Sequence, residues 1–415
     1  MGKLRINGNR LWDRLDELAQ VGAIPGTLGS SRLALTKEDG QARDLVVSWM
    51  RQLEMEVSID QIGNVIGLWH GKGTDRNLPP VMTGSHIDTV RSGGRFDGNL
   101  GVLAGLEIVQ TIKEQKVPTE HPVAVSFFTG EEGARFAPDM LGSLVYVGGL
   151  DLQIALDTIS VNGEKLSDEL KSVGYSGTAP CPGITPKIFL ELHIEQGPVL
   201  ESEGIDIGAV ESVQGISWTE LTIEGQSNHA GTTPMTMRRD AGYVAGRIST
   251  FVRELSDQMG GAQVGTVGKV DLTPNLVNVV ASKASMTVDL RNTSEAMLRE
   301  AEDRLATFCE EISRKESVKI ASKSLARFEP VEFNQDLVSQ ISTTAKNLGY
   351  TTRQMTSGAG HDAQMLARVC PAAMIFVPSK GGLSHNPAEY TSLEEISAGA
   401  NVLLDIIVNA AGGCR

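Results

Sequence analysis

The sequence predicts an α/β fold in two parts: a discontinuous α/β domain, residues 1–213 and 330–415, with a smaller α+β domain, 214–329, inserted into it. Three observations point there. A chain of 415 residues exceeds what one hydrophobic core usually organises. Short apolar runs ending in turn residues alternate with helical periodicity, both in the N-terminal third and near the C-terminus. Between those stretches the order of signals changes to strand-helix-strand-strand-helix-strand.

Taken along the chain, Ala42, Val46, Trp49, Met50 and Leu53 repeat at helical spacing after a Thr36-x-x-Asp39 start of capping-box type. Residues 80–84 and 123–129 read as buried strands, with a helix over 100–114 between them, so this unit is β-α-β with a parallel pair. Residues 188–192 read as a further strand. In the inserted segment, 217–225 alternates as a half-buried strand and 238–258 reads as a helix. Residues 264–271 and 284–291 read as strands, the latter with Met286, Val288 and Leu290 on one face. A helix with Leu298, Ala301, Leu305, Phe308 and Ile312 on its stripe follows, and 317–322 closes the segment as a strand. That order is the split unit of ferredoxin-like domains. The α/β pattern then resumes with a helix near 336–347, a strand over 372–378 and a helix over 393–408. There is no internal repeat, low-complexity tract or heptad pattern.

Composition narrows the class. A hydrophobic share of 40% with 21% charged residues is ordinary for a globular protein, and no apolar run approaches the roughly 20 residues a membrane helix needs. A net charge of −14 argues against nucleic acid or a membrane surface as partner. The first ten residues lack the apolar centre of a signal peptide, and Ile6 breaks the myristoylation pattern. Cys181, Cys309, Cys370 and Cys414 form no C-x-x-C pair, which fits a reducing compartment, with the cytoplasm as the default.

The most informative stretch is 84–101. His86-x-Asp88 and Phe96-Asp97-Gly98 sit there in a polar, Gly-rich context that surrenders packing and helix propensity. Glu131-Glu132, His193 and His385 follow downstream. Imidazole with carboxylate, and no thiolate, is a ligand set for a divalent metal in a hydrolase. His86, Glu131-Glu132 and His193 each follow a predicted strand end, where open α/β sheets bind ligands. Of seven histidines, His86, His193, His229, His361 and His385 lie in Gly-rich or polar motifs, whereas His70 and His121 read as structural. Asp88 shares a side of the chain with His86 and is placed to orient its ring, or else caps a turn. Asp97 is placed to bridge two cations roughly 3.5–4 Å apart, or else caps the next helix. If the chain turns at Glu131-Glu132, one carboxylate binds metal and the other moves a proton.

Taken in order, the motifs resemble the hydantoinase/carbamoylase family of dinuclear metal amidohydrolases, which includes N-carbamoyl-L-amino-acid hydrolases, β-ureidopropionases and allantoate amidohydrolases. They are Thr83-Gly-Ser-His-Ile-Asp-Thr89, Gly94-Arg-Phe-Asp-Gly98, Thr129-Gly-Glu-Glu-Gly-Ala-Arg-Phe136, Glu191-Leu-His-Ile-Glu-Gln-Gly197, Ser227-Asn-His-Ala-Gly-Thr-Thr-Pro234, Asn275-Leu-Val-Asn-Val-Val280, Ser357-Gly-Ala-Gly-His-Asp-Ala363 and Ser384-His-Asn-Pro387. The resemblance implies a metallopeptidase-like mixed-sheet catalytic domain with an inserted ferredoxin-like dimerisation domain. It implies that His86, Asp97 and His193 hold one metal and that Asp97, Glu132 and His385 hold the other. Glu131 would be general base and acid. Gln196, His229, Asn278, Arg291, Gly360 and His361 would line the substrate site, with His229 also catalytic and reaching the partner subunit's site in a homodimer. The implied ions are two divalent metals per subunit, zinc by default, with manganese, cobalt or nickel permitted by the same ligands.

The expected reaction is hydrolysis of the carbamoyl C–N bond of a small N-carbamoyl-L-amino acid or N-carbamoyl-β-alanine, giving amino acid, ammonia and carbon dioxide. Arg291 is suited to a substrate carboxylate, and His229 with Asn278 to an oxyanion, where one such donor is worth about 2.7–4 kcal/mol of barrier. The alternatives are allantoate hydrolysis, another N-acyl-amino-acid or peptidase-like activity, and a metal-free binding protein on the same scaffold.

Overall fold

The computed structural model describes residues 4–413. Residues 1–3, part of the stretch read for a leader, and Cys414, counted among the scattered cysteines, lie outside the described residues. The chain forms two compact units, one built from the chain up to Glu211 and from Phe333 onward, the other from Ser212–Glu332.

The strands, in chain order, are β1 (Glu56–Ile59), β2 (Val65–Trp69), β3 (Val81–His86), β4 (Val123–Phe128), β5 (Ile188–Ile194), β6 (Ile207–Val213), β7 (Gly215–Glu224), β8 (Val264–Thr273), β9 (Lys283–Asn292), β10 (Lys319–Phe328), β11 (Val331–Glu332), β12 (Thr352–Ser357) and β13 (Ala372–Val377). The large sheet has the order β1-β2-β4-β3-β5-β13-β6-β11, with β12 also beside β6. β3, β4, β5 and β13 run parallel, while β2 and β6 pair antiparallel with this block. The sheet is therefore mixed, as expected. All four parallel strands are buried end to end, so their sequences show no alternation.

The helix Asn99–Glu114 links β3 to β4 and completes the predicted β-α-β unit. It is buried on nearly every side, and its Glu107 is tolerated there because Arg10 pairs with it at 2.7 Å. The helix Leu393–Ala410 starts on a full capping box between Ser392 and Glu395. At the earlier helix, Lys37–Gln52, the box is incomplete. Thr36 accepts from the Asp39 N–H, but the Asp39 carboxylate turns to the Leu35 N–H and to Arg43.

The inserted unit has the sheet order β10-β7-β9-β8, every pair antiparallel, with helices Ala241–Met259 and Glu295–Glu316. That is the ferredoxin-like arrangement the order of signals predicts. β9 alternates strictly, with Met286, Val288 and Leu290 in the core. Three local expectations need correction. The first helix starts at Ala241 rather than 238, because Asp240 accepts the Tyr243 N–H and caps it. Cys309, not Phe308, takes the core position, and Phe308 stacks on Phe251 at 4.1 Å. The last strand is Lys319–Phe328, longer than 317–322.

Candidate metal centre

Parallel strands deliver the site. β3 ends on His86, β5 carries His193 near its end, and β13 runs into the loop bearing Ser384, His385 and Glu389. β4 stops at Phe128, and Gly130, at φ +67°, turns the chain so that Glu131 and Glu132 leave the sheet. Because these strands are parallel, their carboxyl ends share one edge of the sheet.

Asp97 stands at the centre. Its Oδ1 lies 3.1 Å from His193 Nε2 and 3.8 Å from His86 Nε2. Its Oδ2 lies 3.4 Å from His385 Nε2, and that ring also meets Glu132 Oε2 at 3.1 Å. Glu131 faces a different partner from its neighbour, with Oε2 3.4 Å from His86 Nε2. Two sets of donor atoms, His86–Asp97–His193 and Asp97–Glu132–His385, each gather within 4.8 Å and share Asp97. A third set, Glu191–His193–His361, is already satisfied by protein. Glu191 accepts from the Ser85 hydroxyl at 2.5 Å and the Ala363 N–H at 2.8 Å, while His361 Nε2 meets the Ser357 hydroxyl at 2.9 Å.

The tautomers support a cation at the first set. His86 Nδ1 lies 3.0 Å from the Asp88 carbonyl oxygen and His193 Nδ1 lies 2.9 Å from that of Ile194. A carbonyl only accepts, so each Nδ1 carries hydrogen, and in the neutral ring Nε2 turns a lone pair toward Asp97. Lone pair against carboxylate is repulsive unless positive charge stands between them. A proton or a metal cation supplies it, and imidazole with carboxylate suits zinc, manganese, cobalt or nickel.

The titration shifts describe the same competition. Burial opposes the Asp97 anion, but hydrogen bonds from His193 and His385 hold its carboxyl well below the usual range. Burial opposes the His193 cation too, yet Asp97 carries it up to about 9. Hydrogen bonds to Asp97 and Glu132 carry His385 to about 11. His86, for which burial dominates, is pushed down to about 4. Burial, followed by Asp362, Glu132, Asp88 and Asp97, pushes the Glu131 carboxyl well above the ordinary value.

Strain and close approach support the centre. Gln196, at φ +58°, donates from Nε2 to Asp97 Oδ2 at 3.0 Å, and His385 sits at φ +52°. Two non-glycine residues in the left-handed region cost about 1–3 kcal/mol each, and both contact Asp97. Gly98, at φ +67°, lies against the His86 ring, which occupies the space a β-carbon would need.

Other predicted residues fall in three groups. Asp88 does orient His86, but through its carbonyl. Its carboxylate is 3.8 Å from the ring and instead accepts the N–H groups of Glu131 at 3.3 Å and Glu132 at 3.4 Å, because the side chain is aimed at the turn after β4. Asp97 caps nothing: the cap of Asn99–Glu114 is Gly98, without a side-chain bond. His361 is buried, its ring edge-on to His193 at 4.5 Å, and Gly360 precedes it beside Met140. His229, Asn278 and Arg291 belong to the inserted unit. There His229 pairs across from Val279 and the Ala230 N–H donates to the Asn278 carbonyl, so these two loops meet. Arg291 forks onto Asp289, with Nη2 at 2.8 Å, over the ring of Trp218.

One residue escaped sequence reasoning. Glu389, fully buried, accepts the N–H groups of Phe96 and Asp97 at 2.9 and 3.1 Å and lies 3.1 Å from the Ser384 hydroxyl. Gly94 packs against its carboxyl with no room for a β-carbon. Its only signal in the sequence is an acid four positions after His385.

The chain is similar to known proteins over nearly its whole length. The profile of Peptidase family M20/M25/M40 matches residues 82–409. The N-carbamoyl-L-amino-acid amidohydrolase of Rhizobium meliloti is 40% identical over 408 residues, covering 98% of this chain and 97% of that protein. The allantoate amidohydrolase of Escherichia coli K12 is 37% identical over 395 residues, covering 94% and 95%. The crystal structure of a hydantoinase/carbamoylase-family amidase from Burkholderia multivorans has a TM-score of 0.91 at 40% identity, covering 98% of both chains. This chain therefore belongs to peptidase family M20/M25/M40, in its hydantoinase/carbamoylase branch.

Proposed function

We propose that this protein hydrolyses the carbamoyl C–N bond of N-carbamoyl-L-amino acids with two divalent cations, one held by His86, Asp97 and His193, the other by Asp97, Glu132 and His385. The observation that carries this is the shared Asp97, flanked on each oxygen by imidazole, with the Glu131 carboxylate 3.4 Å from His86. Cations bound there supply Lewis acidity to a carbonyl oxygen and acidify water. Glu131 takes a proton from the attacking water, whose oxygen bonds to the carbonyl carbon, and returns it to the nitrogen as the C–N bond breaks. Its burial among other acids favours holding that proton in transit. The carbamate released falls apart to ammonia and carbon dioxide. Gln196, Gly360 and His361 belong to the substrate site in this reading. Arg291 and Asn278 take the carboxylate, and His229 serves the developing oxyanion. The fork that Arg291 makes with Asp289 is the geometry a substrate carboxylate would use.

The same reading includes a homodimer through the inserted unit. β8 is one of its two sheet edges, with Val264 and Val270 exposed. Sedimentation of a monomer at micromolar concentration would remove that element. We also place the protein in the cytoplasm: no described helix is long and apolar enough to cross a membrane, and Cys181, Cys309 and Cys370 are unpaired. The deciding assay is ammonia release from N-carbamoyl-L-amino acids, N-carbamoyl-β-alanine, allantoate and dipeptides, after chelation and reconstitution with zinc, manganese, cobalt or nickel. Chelated protein should be inactive, and N-carbamoyl-L-amino acids should give the highest kcat/KM. A higher value on allantoate would replace this function with that one.

A further inference from the structure

Beside the metal centre, within the same unit, lies a cavity of about 390 Å³ between the loop after β5 and the end of β12, a volume in the range of small-molecule sites. Pro198 and Val199, Met355 and Ala359, and Phe376 of β13 are among the residues that line it. Two contacts tie it to the metal centre. The Phe376 ring lies 5.7 Å from that of His361 and 6.4 Å from that of His193. Gln196, which also lines the cavity, donates to Asp97. The Asp97 carboxylate only accepts, so the amide nitrogen must face it, and the Gln196 Oε1 is left buried without a partner.

The lining has no lysine or arginine, and its one charge, Glu195, is already used. The two Glu195 oxygens accept the N–H groups of Val199 at 2.8 Å and Leu200 at 2.9 Å. A ligand carboxylate placed here would be buried without a cation, and a ligand ammonium without a free anion. A terminal carbamoyl amide is far smaller than the space. Of the parts of an N-carbamoyl-α-amino acid, only the side chain is both neutral and variable in size. On the amidohydrolase reading above, we infer that this cavity is the side-chain subsite and selects apolar side chains of leucine or methionine size. Glycine leaves it empty, aspartate brings an unpaired charge, and the second ureido group of allantoate brings several N–H donors against a lining of Pro198, Val199, Met355, Ala359 and Phe376 side chains.

Gly358 allows a direct test. A β-carbon added there meets no atom within 4 Å, and its φ lies outside the left-handed region, so a larger side chain can be introduced at this lining position without strain. The experiment measures kcat/KM of reconstituted wild type, Gly358→Val and Gly358→Leu on N-carbamoyl derivatives of glycine, L-leucine, L-methionine and L-aspartate, and on allantoate. Calorimetric titration of L-leucine and glycine, the free products, gives a second readout. Wild type should prefer the leucine and methionine derivatives over glycine by about tenfold or more. Gly358→Leu should cut the leucine-to-glycine ratio by about tenfold, Gly358→Val by less, and leucine binding should weaken in parallel. Met355→Ala, which widens the cavity, should move the preference toward N-carbamoyl-L-phenylalanine, and serves if the Gly358 variants misfold. A ratio unchanged in every variant, or a wild type that prefers glycine, aspartate or allantoate, overturns the subsite. Failure of the amidohydrolase reading looks different, with no ammonia from any N-carbamoyl amino acid whatever its side chain, and it overturns both.

Discussion

In the proposed reaction, one turn would divide two chemical tasks between Glu131 and Glu132. They are adjacent, and Asp88 accepts both their N–H groups, yet their carboxylates face His86 and His385 respectively. Glu131→Gln keeps the shape and would remove the proposed proton transfer. Metal analysis of that variant should still find both cations, while kcat falls by about a hundredfold to ten-thousandfold; near-normal turnover would take the proton away from this residue. Glu389 makes a different contribution, acting through Asp97. It anchors the Phe96–Asp97 backbone to the loop of Ser384 and His385, so it fixes the distance between the shared carboxylate and one imidazole. Glu389→Ala should weaken cation affinity about 10–100-fold in chelator competition, and Glu389→Gln, which still offers one oxygen, should recover part of it. Equal affinity in all three proteins, with only lower thermal stability, would reduce Glu389 to a packing residue.

At the level of elements, the site depends on where strands stop and how loops are forced to turn. Gly98 joins the Asp97 loop to the helix Asn99–Glu114 in a left-handed conformation pressed against the His86 ring. Gly98→Ala therefore meets both backbone strain and collision, and should lower the stability of cation-free protein by about 1–3 kcal/mol in denaturant unfolding, with His86 displaced from its set. A variant as stable as wild type would show that this loop can relax. The same elements explain what sequence alone could reveal. β3, β4, β5 and β13 were readable because strands buried on both faces stop abruptly at turn residues, and His86, Glu131-Glu132 and His193 sit at or just past three of those stops. β12 was not, since in Thr352–Ser357 only Met355 and Ser357 are buried, too few for a pattern. β1 is four residues of half-exposed edge. Periodicity put Phe308 on the core stripe, but the stack on Phe251 draws that ring to the side and leaves the core position to Cys309. Glu389 acts on backbone groups 293 and 292 positions away, a relation that exists only once the chain has folded.

For the molecule as a whole, the metal centre is a cluster of charges that protons or cations must neutralise, so stability should depend on pH differently with and without cations. Burial and Asp39 raise Asp88 to about 8, burial and Asp97 raise Glu389 to about 7, and Asp97 carries His193 against its burial to about 9. Each group binds its proton more tightly folded than unfolded. Its contribution is complete below the unfolded value, about 4 for a carboxyl and about 6.5 for imidazole, and is lost as pH rises through the folded value. His86 is shifted the other way, to about 4, so its contribution is already complete above about 6.5 and constant from there upward. Between pH 6.5 and 9, then, the cation-free protein only loses stability at this site. Cations take the place of those protons, and their binding strengthens as the ligands deprotonate. The difference in Tm between cation-saturated and chelated protein should therefore widen steadily from pH 6.5 to 9, measured by calorimetry in matched buffers. Groups away from the centre, such as Asp60, which burial raises to about 6, affect both forms alike and cancel in that difference. A gap that stays constant across the window would mean that the imidazoles and carboxylates around Asp97 do not share their charge with a metal.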